Sequence, residues 1–247
     1  MKVFEEGAAD YDAGRPSYPV AVYDLLDDLL GGLCDKLVLD AGAGTGVVTR
    51  QLLDRGAVVI ALDTAVGMLA RARRRTPLLP AVIGDAAAAL FQPGSLDLAC
   101  FGQSWHWVDQ QLGAAEIGSV LRPGGWWAAW WSHPWADGEA WFEDYWTLIE
   151  DRCPETSRHQ REIDWCAEGV ARDGNFNTPE RKVISWERRV EIDHWLADLR
   201  SHSYVLVMDG GDRERMLQDV AGILRAGFPE GRMAVAYQTR VWVAARR

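Results

Sequence analysis

The segment Leu37-Val-Leu-Asp-Ala-Gly-Ala-Gly-Thr-Gly46 restricts the fold more than any other part of the chain. Leu37, Val38 and Leu39 suit a strand that meets Asp40. Glycines then stand at 42, 44 and 46, and Val47-Val-Thr-Arg-Gln-Leu-Leu53 repeats its apolar positions at helical spacing. A strand, a tight glycine turn and a helix N-terminus together form the mouth of a nucleotide pocket, because the helix start offers unpaired N–H groups. Glycine suits the turn because a Cβ would hold the backbone off a ligand, and because the turn calls for backbone angles that other residues avoid. The same turn can also be a connection that binds nothing, so its neighbours have to decide.

Those neighbours recur at regular intervals. Ala57-Val-Val-Ile-Ala-Leu62 has the continuous apolar character of a buried parallel strand and ends in Asp63. A carboxylate at that strand end can accept both hydroxyls of a ribose, or it can cap a helix that starts at Thr64. Leu79-Pro-Ala-Val-Ile-Gly84 ends in Asp85, a second acid at a strand's carboxyl edge, which can meet an adenine or cap a helix through Ala86 to Leu90. Leu96-Asp-Leu-Ala-Cys-Phe101 leads into Gly102-Gln103-Ser104, and Leu121-Arg-Pro-Gly-Gly125 introduces a fifth strand, Trp126 to Trp131. The alternation of strand and helix predicts an α/β fold with a parallel sheet.

Outside that block, Val20 to Leu30 has the spacing of an amphipathic helix, ended by Gly31-Gly32. Residues 137 to 175 are polar and rich in tryptophan, with helical segments such as Trp141 to Ile149, and predict a helical insertion. Arg181 to Ile192 and Met233 to Ala244 predict a sixth and a seventh strand, with helices near 193 to 204 and 212 to 226 between them. Pro154 to Gln160 and Asp173 to Pro179 predict loops, and no internal repeat appears.

At 247 residues the chain can bury one full α/β core. Its formal charge of -10 argues against binding to nucleic acid phosphates, and the one basic run, Arg71 to Arg75, falls on an expected helix. Trp126 to Trp131, as long as any apolar run in the chain, is far short of the ~20 residues that span a bilayer, and the N-terminus is acidic where a signal peptide is basic, so a cytoplasmic address is expected. Cys34, Cys100, Cys153 and Cys166 lack paired spacing, and His133, His159, His194 and His202 lack metal-ligand spacing, so neither a disulfide framework nor a catalytic metal is expected.

Taken in order, Asp40-Ala-Gly-Ala-Gly-Thr-Gly46, Asp63, Gly84-Asp85-Ala86 and Leu121-Arg-Pro-Gly-Gly125 resemble the motif set of the class I S-adenosylmethionine-dependent methyltransferases over roughly residues 1 to 132. Phe4, Tyr11, Arg15-Pro-Ser-Tyr-Pro19 and Ser104-Trp-His-Trp-Val-Asp109 are similar to the small-molecule branch that includes trans-aconitate methyltransferase-like proteins. The resemblance implies a Rossmann-like seven-stranded, mostly parallel sheet with helices on both faces, an antiparallel last strand and a helical insertion after the fifth. It divides one methyltransferase domain into N-terminal lid and helices over 1–32, cofactor-binding core over 33–132, acceptor cap over 133–179, and strands six and seven with their helices over 180–247.

The expected chemistry is one in-line displacement from a sulfonium methyl to a small-molecule acceptor, leaving S-adenosylhomocysteine. The protein then has to hold donor and acceptor in register and exclude water. Gly42, Ala43, Gly44 and Gly46 line the methionine side, and Asp40 orients the turn or meets the amino group. Asp63 and Thr64 lie at the ribose, Met68, Asp85 and Ala86 at the adenine, and Gln103 and Ser104 at the methionine end. His106, between Trp105 and Trp107, is a candidate base if the acceptor is a hydroxyl or amine, or else a hydrogen-bonded structural histidine. Arg15 can pair with a carboxylate through its planar fork or stay solvated, and with Tyr11 and Tyr18 it would form a lid. Thirteen tryptophans are mostly core by default. Trp107, Trp135, Trp141, Trp146 and Tyr204 are candidates for an aromatic acceptor pocket, which would also suit a sulfonium. On the fifth strand, alternation sends Trp126 and Trp130 to one face and Trp127 and Trp131 to the other.

Two other functions use similar features. A nicotinamide-dependent oxidoreductase also places a glycine turn before an acid, but its GxGxxG spacing differs from Gly42-x-Gly44-x-Gly46. A protein with this fold can also bind the cofactor without methyl transfer, as a binding module or a cyclase.

Overall fold

The computed structural model describes residues 17–88, 91–158 and 164–247. Phe4, Tyr11 and Arg15 lie outside the described residues. Helix α1 (Val20–Leu30) leads into β1 (Leu37–Ala41), α2 (Val47–Leu53), β2 (Val58–Asp63), α3 (Val66–Arg75), β3 (Ala81–Ile83) and β4 (Leu96–Gly102). Helix α4 (Gln110–Val120) and β5 (Leu121–Pro134) follow, then α5 (Ala140–Arg152), α6 (Glu168–Arg172), β6 (Glu180–Glu191), α7 (Ile192–Arg200), α8 (Ser203–Leu206), α9 (Gly210–Gly227) and β7 (Arg232–Ala245).

The strands form a seven-stranded sheet in the order β3-β2-β1-β4-β5-β7-β6. Strand β1 runs parallel to both β2 and β4, β2 parallel to β3, and β4 parallel to β5, while β7 runs antiparallel. The expected architecture is therefore present. Strand β1 lies inside the sheet between β2 and β4, and Val38, Leu39 and Ala41 are buried, as the unbroken apolar run of a doubly covered strand requires. From β1 the chain steps outward to β2 and β3, then crosses back to β4 on the other side of β1. The carboxyl ends of β1 and β4 thus form a topological switch point, where open α/β sheets bind ligands.

The chain divides into two compact units. One comprises Ser17–Ser132, Asp164–Ile184 and Thr239–Arg247; the other comprises, among the described residues, 133–158 and 185–238. In the first, β5 sorts its tryptophans as alternation predicts. Trp130 packs with Tyr23, Leu26, Val48 and Cys100, with Trp126 against the same cluster, while Trp127 faces Trp105 at 5.3 Å between ring centroids. The first unit reclaims the chain earlier than the expected end of the insertion at 179. Trp105 Nε1 donates to the Cys166 carbonyl at 2.7 Å, and Asn177 N–H donates to the Ala245 carbonyl at 2.9 Å.

The second unit buries Trp141, Phe142, Tyr145, Trp146 and Ile149 of α5 against Trp195 and Leu199 of α7 and Met216, Val220 and Leu224 of α9. The helix expected near 193 to 204 is broken at Ser201, whose buried hydroxyl donates to the Asp198 carbonyl at 2.7 Å. A serine hydroxyl that takes an upstream carbonyl competes with the helical ladder.

Candidate functional site

The glycine turn is held from both sides. The Gly42 and Ala43 N–H groups donate to the Leu62 carbonyl at 2.7 and 3.0 Å. The Asp63 carboxylate accepts from Gly44 N–H through Oδ2 and from Ala65 N–H through Oδ1, each at 2.8 Å. An ionised carboxylate offers about four lone-pair sites, so Asp63 braces the turn and still has acceptor capacity on both oxygens. It does not cap a helix from Thr64: α3 begins at Val66, Ala65 is its N-cap, and no side chain caps it. Thr64 is exposed and Met68 buried, which gives Met68 the surroundings of a core residue.

Gly42 and Gly44 are glycines for different reasons. A Cβ on Gly42 would fall 2.3 Å from Ser104 Cβ, so the approach of β4's end demands a bare backbone there. Gly44, at φ +56°, would place a Cβ with no atom within 4 Å. Its open side is a cradle that a side chain would fill. Such a cradle, at the switch point and beside an acid with spare acceptor sites, fits a ribose-bearing ligand.

Asp40 lies beneath the turn. It is 1% exposed and accepts the Thr49 hydroxyl of α2 at 2.5 Å. Burial pushes its carboxyl up to about 7, with the charge of Asp63 adding to the rise and the Thr49 hydrogen bond opposing it. Of its two expected roles, these surroundings support orienting the turn. Ser104 is likewise a strap: its hydroxyl donates to the Ala41 carbonyl at 2.6 Å, tying β4's end to β1. Gln103 adopts φ +55°, donates its N–H to the Trp130 carbonyl at 2.8 Å and reaches the Ser132 carbonyl with Nε2 at 3.4 Å. A non-glycine residue held in the left-handed region at a strand end stores strain of the kind that accompanies binding sites.

Asp85 is exposed at the end of β3 and accepts the Ala87 N–H at 2.9 Å in a turn, with Ala86 buried beside it. The expected alternative of a capped helix gives way to this turn over the described residues 86–88. Tyr18 was expected in a lid. It is half-buried, edge-on to Trp130 at 5.6 Å, with its hydroxyl 3.3 Å from where a Cβ on Gly102 would stand. Gly102, given no role by the sequence, admits Tyr18 and Val48 to the end of β4; a Cβ there would lie 2.7 Å from Val48 Cγ2.

His106 and Trp107 occupy a 3-10 turn after β4 and are both exposed, Trp107 at 65%. Trp131 Nε1 donates to His106 Nδ1 at 3.2 Å. Trp131 carried no expectation beyond its strand face, since nothing local links residues 25 positions apart. Trp135, Trp141, Trp146 and Tyr204 belong to the second unit. Trp141 and Trp146 are each 8% exposed, and Trp141 Nε1 donates to Glu139 at 2.6 Å. They fill that unit's core and offer little surface as an acceptor wall. Tyr204 shares a 2.9 Å hydrogen bond with His202 Nδ1, and Trp135 N–H donates to the Ala236 carbonyl.

Residues 39–129 match the family model described as a methyltransferase domain. An uncharacterized methyltransferase of Mycobacterium tuberculosis is 29% identical over 221 residues, covering 90% of this chain and 85% of the relative. A demethylmenaquinone methyltransferase of Beutenbergia cavernae is 33% identical over 147 residues, 58% of this chain and 61% of that protein. Among solved structures, a protein of Anaeromyxobacter dehalogenans described as a type II methyltransferase shares the fold with a TM-score of 0.71 at 24% identity, over 94% of this chain and 97% of that one.

Proposed function

Because the chain is a class I S-adenosylmethionine-dependent methyltransferase, we propose that it methylates a small-molecule acceptor by direct in-line displacement at the switch point between β1 and β4. The observation that carries this is the Gly44–Asp63 pair, an open glycine and a braced carboxylate at one strand edge. When bound, S-adenosylmethionine supplies a methyl carbon on a positively charged sulfur; the carbon–sulfur bond breaks as the acceptor bond forms, and S-adenosylhomocysteine leaves.

The chain's part is placement. The spare acceptor sites of Asp63 take the ribose hydroxyls, and the bare edge of Gly44 lets the backbone approach. Asp85, exposed beyond β3, accepts from the adenine amino group. Gln103 frames the methionine end with its amide, while Ser104 sets the distance between β1 and β4 through Ala41. Tyr18 and Trp107 border the acceptor.

A formal charge of -10 supports a small molecule over a nucleic acid, as does the name of the demethylmenaquinone relative. Calorimetry with S-adenosylmethionine against NAD tests the donor, and release of S-adenosylhomocysteine across a panel of carboxylates, hydroxyls, amines and activated carbon acids tests transfer. Binding of NAD in preference to S-adenosylmethionine would end the proposal. Donor binding without product release from any acceptor class would favour a binding module.

A further inference from the structure

This acidic chain carries one rim of opposite character. No acid stands between Asp63 and Asp85, and the basic run Arg71 to Arg75 falls in that interval, on α3. Arg73 and Arg74 are exposed and Arg71 is half-buried, and none of the three forms an ion pair among the described residues. Cations in a last helical turn complement the helix dipole, which accounts for their sign but not for what stands beside them. Leu78, in the turn after α3, is 95% exposed, and Val58, which opens the neighbouring strand β2, is 50% exposed. The turn is pinned at both ends. Thr76 N–H donates to the Ala72 carbonyl at 2.9 Å, Leu79 N–H to the Thr76 carbonyl at 3.0 Å, and Ala61 N–H of β2 to the Pro80 carbonyl at 2.9 Å. Leu79 is buried with Ala61, Leu69 and Ala72, and Pro77 and Pro80 fix φ on either side. Leu78 is therefore held outward on a backbone that is ordered before any partner arrives.

From this juxtaposition we infer that the rim formed by the end of α3 and the amino ends of β2 and β3 is a docking surface for a bilayer with anionic headgroups, the arginines meeting the phosphates and Leu78 entering the apolar boundary. Basic side chains beside exposed aliphatic ones are the composition of a surface that lies on a membrane. Nucleic acid offers the same phosphates, but single strands are held by stacking bases on aromatic rings, and Leu78 and Val58 are aliphatic. The formal charge of -10 comes from acids elsewhere in the chain. At physiological salt, charges beyond about 8 Å are largely screened, so the local cluster decides the approach. No described helix is long and apolar enough to cross a membrane, so the contact is with the bilayer's surface. The Gly44–Asp63 pair stands at the opposite, carboxyl edge of the sheet, which leaves it open to its ligand while the rim is docked. The docking surface does not rest on the methyltransferase reading.

The test is flotation of the full chain with vesicles of equal parts phosphatidylglycerol and phosphatidylcholine, beside vesicles of phosphatidylcholine alone. The expected result is binding to the anionic vesicles that weakens at least about tenfold on the neutral ones and at high salt. Each arginine removed should weaken it about fivefold, so Arg73→Gln combined with Arg74→Gln should lose roughly 25-fold. Leu78→Ser should lose at least about threefold, by an amount that does not depend on salt. These three side chains are exposed, so the variants should keep the wild-type urea midpoint, and the comparison of the two vesicle types decides on the wild-type chain alone. No binding to anionic vesicles, equal binding to both types, or wild-type affinity in either variant would overturn the inference. Release of the protein from vesicles by duplex DNA at equal phosphate concentration would also overturn it, by assigning the arginines to nucleic acid. Calorimetry with S-adenosylmethionine separates the two claims. Vesicle binding without donor binding keeps the docking surface and removes the methyltransferase reading, whereas donor binding without vesicle binding does the reverse.

Discussion

The Gly44 N–H donates to Asp63 Oδ2 at 2.8 Å, joining the turn after β1 to the end of β2 across 19 positions of sequence. One carboxylate therefore shapes the cradle and, in the proposed function, accepts from the ligand that fills it. Asp63→Ala should lower affinity for S-adenosylmethionine at least about tenfold, or ~1.4 kcal/mol, and should cost about 1–3 kcal/mol of stability because two backbone donors lose their acceptor. Titration calorimetry and urea unfolding check the two separately. Unchanged affinity would count against the ribose assignment.

Gly42 and Gly44 should separate packing from binding. Gly42→Ala drives a methyl into Ser104 and should lose about 1–3 kcal/mol from overpacking, in addition to about 1–2 kcal/mol for a left-handed non-glycine residue. Gly44→Ala meets no atom within 4 Å, so only the backbone penalty of about 1–2 kcal/mol applies, yet its methyl occupies the cradle. We expect the larger fall in urea midpoint for Gly42→Ala, and in Gly44→Ala a loss of donor affinity out of proportion to its smaller stability loss. Equal stability losses, or full affinity in Gly44→Ala, would contradict this account.

Asp40 should make stability depend on pH in an unusual direction for an acid. Its folded carboxyl titrates at about 7, against roughly 4 in an unfolded chain. Between those values the folded form holds a proton that the unfolded form has released. Its contribution is complete below about pH 4 and is lost as pH rises toward 7, with a slope of at most about 1.4 kcal/mol per pH unit. Asp40→Asn removes the titration while leaving an oxygen for Thr49. The urea-midpoint difference, wild type minus variant, should therefore shrink between pH 5 and 7.5; a constant difference would refute the buried-acid assignment.

In the second unit, Arg188 is 7% exposed and donates to Asp198 at 2.9 Å and to the Tyr237 hydroxyl at 3.0 Å. Removing one partner of a buried pair leaves the other charge uncompensated, so Asp198→Ala should cost about 3–5 kcal/mol. The exposed Arg172–Glu168 pair at 2.7 Å gives the contrast; Glu168→Ala should change stability by less than about 1 kcal/mol. Chemical denaturation of both variants checks the pair, and similar small losses would show that Arg188 finds adequate solvation without its carboxylate.

What the sequence determined was whatever depends on spacing along one stretch of chain. Leu37 to Gly46 determined a strand, a glycine turn and a helix start, because apolar runs, glycines and helical periodicity act on their own neighbours. The acids at 63 and 85 were legible because each ends an apolar run, and the two faces of β5 because side chains alternate strictly along a strand. The limits of α1 and α2 were legible for the same reason.

Tertiary structure alone decided how those groups are used. Asp40 and Asp63 look alike in sequence, both acids at strand ends, but central packing buries Asp40 against Thr49, while Asp63 stays partly open and divides its oxygens between Gly44 and Ala65. His106 reads as a base or a structural histidine, and only folding brings Trp131 Nε1 to its Nδ1. Trp141 and Trp146 read as pocket walls until α7 and α9 cover them. Burial, hydrogen bonding and exposure are set by residues brought together from distant positions, and a local pattern carries no term for a partner that only folding supplies.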